Sequence, residues 1–157
     1  MIERCYRDLT LVIDEVHALF DEWVEQEQFS AVVDEFGLLV MKLAVHEWIA
    51  NLVQHADFRG TPPMIRLCIE PEGHGLHCEI EDNSAGFDFR EHLTQQRAAV
   101  HNPEPSERGR GLLMLIACTE NLSYETASHG VQRLAFVIRT PVAPESLAPL
   151  FPSADQL

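Results

Sequence analysis

Glu47-Trp-Ile-Ala-Asn51-Leu-Val-Gln-His55 is the stretch on which the reading of this chain turns. It lies inside a longer apolar repeat: Val32, Val33, Phe36, Leu39, Val40, Leu43, Ile49, Leu52 and Val53 recur at three- and four-residue spacing. That period predicts one long helix, capped by Ser30 with Asp34 and Glu35 in its first turns, ending near Ala56 before Gly60-Thr-Pro-Pro63. A helix turns about 100° per residue, so Glu47, Asn51 and His55, at i, i+4 and i+8, fall on one slowly drifting face. Alone, Glu47 would read as a solvated polar residue and His55 as a core histidine. In register, a carboxylate, an amide and an imidazole form a face that can meet a metal ion and phosphate oxygens.

Two further stretches follow at domain-scale spacing. Asp82-Asn-Ser-Ala-Gly86-Phe87-Asp88 sets a carboxylate at the end of an alternating apolar run and then small residues and a glycine, where the backbone can turn and a flat ring can lie against it. Arg108-Gly109-Arg110-Gly111-Leu112 places two glycines before an apolar helical pattern, so that free N–H groups and the positive end of a helix dipole face an anion. Arg108 and Arg110 are candidates to pair with a terminal phosphate.

The remaining pattern supplies the frame. Residues 5–13 alternate loosely and predict a strand, followed by a helix through Val16, Leu19, Phe20, Trp23 and Val24 to about Gln28. Met64–Glu70 and Leu76–Glu81 read as a hairpin across Pro71-Glu-Gly-His-Gly75, and Leu122–Thr126 with Val131–Arg139 as a second across Ser128-His-Gly130. Leu112, Leu113, Leu115, Ile116 and Ala117 predict a short apolar helix. Between Asp88 and Gly109 lies a stretch poor in large apolar side chains and holding Pro103 and Pro105, a loop long enough to act as a lid over residues 89–108. One domain is expected over residues 1–140, with a Pro-, Ala- and Ser-rich tail over 141–157.

Composition narrows the classes. The formal charge is −14, and Lys42 is the sole lysine beside ten arginines, which opposes direct binding to nucleic acid and favours a basic protein partner. No run of 18 apolar residues and no basic or apolar leader is present, so neither export nor a membrane role is expected and the location is read as cytoplasmic. Cys5, Cys68, Cys78 and Cys118 lack C-x-x-C spacing and read as buried free thiols. The eight histidines contain no H-E-x-x-H, so a structural metal is not supported.

The three stretches, in this order, resemble the N, G1 and G2 boxes of the ATP-binding domain shared by histidine kinases, type II topoisomerases, heat-shock chaperone ATPases and MutL-type repair proteins. Short length and the absence of a phosphoacceptor helix make the chain similar to the anti-sigma-factor serine kinases of the RsbW and SpoIIAB type, over roughly residues 5 to 140. The resemblance implies a Bergerat-type α/β (α+β) two-layer sandwich with a mixed, mainly antiparallel sheet and helices on one face. It implies ATP and Mg²⁺ as cofactors, Glu47 as general base, Asn51 as the Mg²⁺ ligand, His55 near the phosphates and Asp82 as acceptor for the adenine amino group. Gly86 matches the second glycine of D-x-G-x-G. Gly109, Gly111 and Leu112 match the phosphate-holding hinge. Ser84 replaces the first G1 glycine, where left-handed backbone would strain a serine by roughly 1 kcal/mol. The family's late-strand threonine has no counterpart at Val131 or Gln132. The implied role is a serine/threonine protein kinase that acts on a STAS-type antagonist protein and holds a sigma factor, with a homodimer among the assemblies allowed. A non-catalytic nucleotide-binding module, or a detached ATPase domain of a histidine kinase, carries the same boxes.

Overall fold

The computed structural model describes residues 1–89, 91, 94 and 111–140. Its elements are β1 (Ile2–Tyr6), α1 (Val12–Glu25), α2 (Glu35–His55), β2 (Ile65–Pro71), β3 (Gly75–Asp82), α3 (Gly111–Cys118), β4 (Glu120–Thr126) and β5 (Gln132–Arg139). The five strands form one sheet in the order β1-β2-β3-β5-β4, and every described pairing is antiparallel. This is the expected two-layer α/β sandwich.

Alternation along the strands decides which face is covered. Ile65, Leu67 and Ile69 of β2, Leu76, Cys78 and Ile80 of β3, and Leu134, Phe136 and Ile138 of β5 point one way and are buried. The helices close over them with Phe20, Trp23, Met41, Val45, Trp48, Ile49 and Leu52. The other face is charged, and Glu81 pairs with both Arg66 and Arg133 across three strands. Such exposed pairs each add little to stability. By length and composition alone α2 could cross a bilayer, but its buried side chains lie in the core that the sheet shares. Beside it α1 is tied by a His17–His46 hydrogen bond and a Lys42–Asp21 ion pair.

Three boundaries differ from the sequence pattern, each for a local reason. The first strand ends at Tyr6, because the Asp8 carboxylate accepts from both the backbone N–H and the hydroxyl of Thr10 and bends the chain toward α1. Leu9, Leu11 and Ile13 therefore belong to a turn and a helix, not a strand. Ser30 does not cap α2; Asp34 does, accepting from Gly37 N–H at 2.7 Å. Glu27 and Phe29 adopt positive φ between the helices, which breaks the repeat and buries the Phe29 ring edge-on to Trp23. Asp34→Ala should lower stability by about 1 kcal/mol, read as a shift in the denaturant midpoint. The four cysteines are free, as expected, but only Cys78 is buried; Cys5 is exposed and Cys68 and Cys118 are half-buried.

The expected lid, apart from residues 89, 91 and 94, and the 141–157 tail lie outside the described residues.

Candidate functional site

The second half of α2 packs, through Trp48, against Phe87 in the loop after Asp82 and against Tyr124 of β4. Trp48 and Leu52 are buried and clamp the helix to the sheet, and the Trp48 ring packs against Phe87 and Tyr124 with both centroids at 5.3 Å. Glu47 and Asn51, flanking Trp48, are half-buried and share the drifting face read from the sequence. His55, the last residue of α2, is exposed.

Asp82 has no exposure, although it carries a carboxylate at the rim of an apolar core. Its Oδ1 accepts from Ser84 N–H at 2.9 Å, and its Oδ2 has no partner among the described residues. Burial pushes its pKa up, outweighing the side-chain and backbone hydrogen bonds from Ser84 that pull it down. A fully buried carboxylate oxygen left empty costs free energy, and the group that would offset it is an N–H or O–H donor that the described residues do not supply.

The loop after Asp82 is held on several sides. Asn83 accepts from Met64 N–H at 2.8 Å and donates to Pro62 C=O at 3.0 Å, while Ala85 N–H donates to Asp57 C=O at 2.7 Å. Ser84 is buried outside the left-handed region, so the strain expected of a serine here does not arise; its hydroxyl instead accepts from Gly86 N–H at 3.1 Å. Gly86 is the position that needs glycine. Its φ is +75°, and a Cβ there would lie 2.7 Å from Gln132 Oε1 and 3.2 Å from Tyr124 Oη. Gly86→Ala should therefore cost about 2 kcal/mol or more in thermal or chemical unfolding, from left-handed strain plus the clash.

Gln132 is the site residue the sequence pattern passed over. It is the direct cross-strand partner of Asp82 and is buried on the same face. The signal was in the alternation: 132 is in phase with the inward-facing Leu134, Phe136 and Ile138, so a glutamine there points into the core.

Gly111 and Leu112 begin α3, which packs against α2. Arg108, Gly109 and Arg110 lie outside the described residues. No group of three or more His, Cys, Asp or Glu side chains converges among the described residues. The Asn51 amide oxygen and the neighbouring Glu47 carboxylate are hard oxygen donors of the kind Mg²⁺ takes, but too few to hold it without oxygens from a ligand. That fits a Mg²⁺ shared with phosphates, and the empty Asp82 oxygen fits a base carrying an amino group.

Residues 9–136 match the model of the histidine kinase-like ATPase domain. Among solved structures, the chain is similar to the "Histidine kinase domain from Erythrobacter litoralis EL346 blue-light activated histidine kinase", with 16% identity and a TM-score of 0.45. The match covers 73% of this chain and 49% of that one, so the chain spans about half the length of that structure. No curated protein matches. On the family match over residues 9–136, the chain belongs to the histidine kinase-like ATPase domain family.

Proposed function

We propose that the chain binds ATP together with Mg²⁺ and passes the terminal phosphoryl group to a serine or threonine hydroxyl of a partner protein, as an anti-sigma regulatory kinase of the cytoplasm. Family membership supports ATP binding, and the observation that carries the reading in this chain is the unpartnered Oδ2 of fully buried Asp82. ATP supplies the phosphoryl group; the chain supplies position and proton handling. Asp82 accepts from the adenine amino group. Asn51 offers its amide oxygen to the metal ion. Glu47, one helical turn before Asn51, takes the proton of the attacking hydroxyl as the oxygen–phosphorus bond forms and ADP leaves. A STAS-type antagonist protein as phosphate acceptor and a sigma factor as held partner agree with a net charge of −14, which favours basic protein surfaces and disfavours nucleic acid.

The family match favours a second reading equally, an ATPase unit that phosphorylates a histidine on a separate protein. One experiment tests both: capture of binding partners from the native host, followed by transfer from radiolabelled ATP onto whatever is captured. Acid-stable label on serine or threonine supports the first reading. Acid-labile label supports the second, and ATP binding without transfer to any captured protein leaves a non-catalytic module.

A further inference from the structure

We propose that segment 141–157 folds back on its own domain and lays Leu147, Leu150 and Phe151 along an apolar stripe on the outer side of α2.

Phe36, Leu39 and Leu43, at i, i+3 and i+7, fall on one side of α2 and are 43%, 49% and 43% exposed. Val24 of α1, also exposed, extends the stripe across the seam between the helices. His17 meets His46 and Asp21 meets Lys42, which sets α1 and α2 antiparallel, and Val24 and Leu39 each stand three residues further along that seam. These are four of the six exposed large apolar side chains among the described residues, so they make a patch, not scattered exceptions.

The chain leaves its last strand beside this stripe. β5 ends at Arg139, and Thr140 lies against the first turn of α2: its Oγ1 donates to Val32 C=O at 3.3 Å, and its Cγ2 stands where a side chain on Gly37 would lie. Phe36 is the neighbour of Gly37. From Thr140 to Leu147 are seven residues, about 20 Å at the roughly 3.1 Å per residue of an extended proline-rich chain, whereas a helix is only about 10–12 Å across. The segment can therefore pass round α2.

Its sequence suits the stripe. Pro141, Pro144, Pro149 and Pro152 favour the extended polyproline form, so that docking orders a chain with little freedom to lose. That form repeats every three residues, which puts Leu147 and Leu150 on one edge with Phe151 beside them. Leu147 to Phe151 then spans about 12 Å, close to the roughly 10 Å that α2 rises from Phe36 to Leu43. Leu43 is one turn before Glu47, so a protein approaching Glu47 along α2 meets the tail first.

A second copy of the chain is a poorer occupant. Each copy carries a net charge of −14, and Glu22 and Glu25 share the last turns of α1 with Val24, so pairing the patch with itself would bring like charges together. Segment 141–157 brings only Glu145 and Asp155, and its tether holds it near the stripe at an effective concentration of about millimolar.

Limited digestion of the full chain with proteinase K, read by mass spectrometry, tests the contact from one side. Cleavage within 141–157 should be roughly fivefold or more slower in the wild type than in Leu39→Ser with Leu43→Ser, since cutting follows the undocked fraction and the tail sequence is the same in both. Binding of the apolar dye ANS tests it from the other: Leu147→Ser with Leu150→Ser and Phe151→Ser should bind severalfold more dye than the wild type, and a synthetic 141–157 peptide should reverse the gain. Thermal unfolding checks both variants, and the tail variant keeps the test open if the helix variant does not fold. Equal cleavage in wild type and helix variant, or equal dye binding by wild type and tail variant, overturns the docking. A wild-type dimer in light scattering that the helix variant turns into a monomer, with cleavage unchanged, overturns it in favour of a second copy.

Discussion

Glu47→Gln is expected to slow phosphoryl transfer onto a confirmed protein substrate by roughly 10²–10⁴-fold, the range for losing a positioned general base. ATP affinity, measured by calorimetry, should change by less than about twofold, because a base acts on the hydroxyl in the transition state and not on the bound nucleotide. The substitution keeps the size of the side chain at a half-buried position of α2, so the fold should persist. Asn51→Ala, one turn on, should behave differently: the Mg²⁺-dependent part of nucleotide affinity should vanish, since a metal ligand acts in ground and transition states alike. Running both variants in the same titration and transfer assays separates chemistry from binding. If both transfer phosphate at the wild-type rate, the roles given to this face of α2 are wrong.

What the sequence carried depended on how many signals agreed at each place. The β2–β3 hairpin was legible because period-two alternation and a Gly-containing turn coincide, and the observed ends, Ile65–Pro71 and Gly75–Asp82, differ from the pattern by a residue. The body of α2 was legible because its apolar spacing is helical over five turns. Its start was not. Val32 and Val33 are in helical phase, yet tertiary packing of Phe29 against Trp23 holds the preceding chain in positive φ and delays the helix to Asp34. Asp82 was found through its motif, but its isolation was not, because an unpartnered oxygen arises from neighbours distant in sequence. Gln132 is obscure in the sequence for the same reason: its partner Asp82 is distant along the chain, and only strand phase turns the glutamine inward.

Asp82→Asn is expected to weaken ATP binding by at least tenfold and, in the same protein, to raise stability at neutral pH by roughly 1–2 kcal/mol. The two effects share one cause. Burial raises the Asp82 pKa above its ordinary 3.8 despite the Ser84 hydrogen bonds, so between the ordinary and the raised value the empty folded protein holds a proton that the unfolded chain has already released. Stability therefore falls as pH rises from the ordinary value through the raised one, and the penalty is fully present above the raised value. Asparagine carries no charge to bury, and its oxygen can still accept from Ser84 N–H, so the charge penalty is replaced by the smaller cost of burying a neutral amide N–H group. The gain from Asn should shrink as pH is lowered and be gone once the wild-type carboxyl is protonated in both states. ATP binding runs the other way: the adenine amino group needs the ionised acceptor, so wild-type affinity should fall as pH drops through the raised pKa. Urea titrations of both proteins between acid and neutral pH, with and without ATP, measure every part of this. An Asn variant destabilised equally at all pH values would mean that Asp82 is paired in the folded state. Unchanged ATP affinity in that variant would remove Asp82 from the base-binding role, whatever its effect on stability.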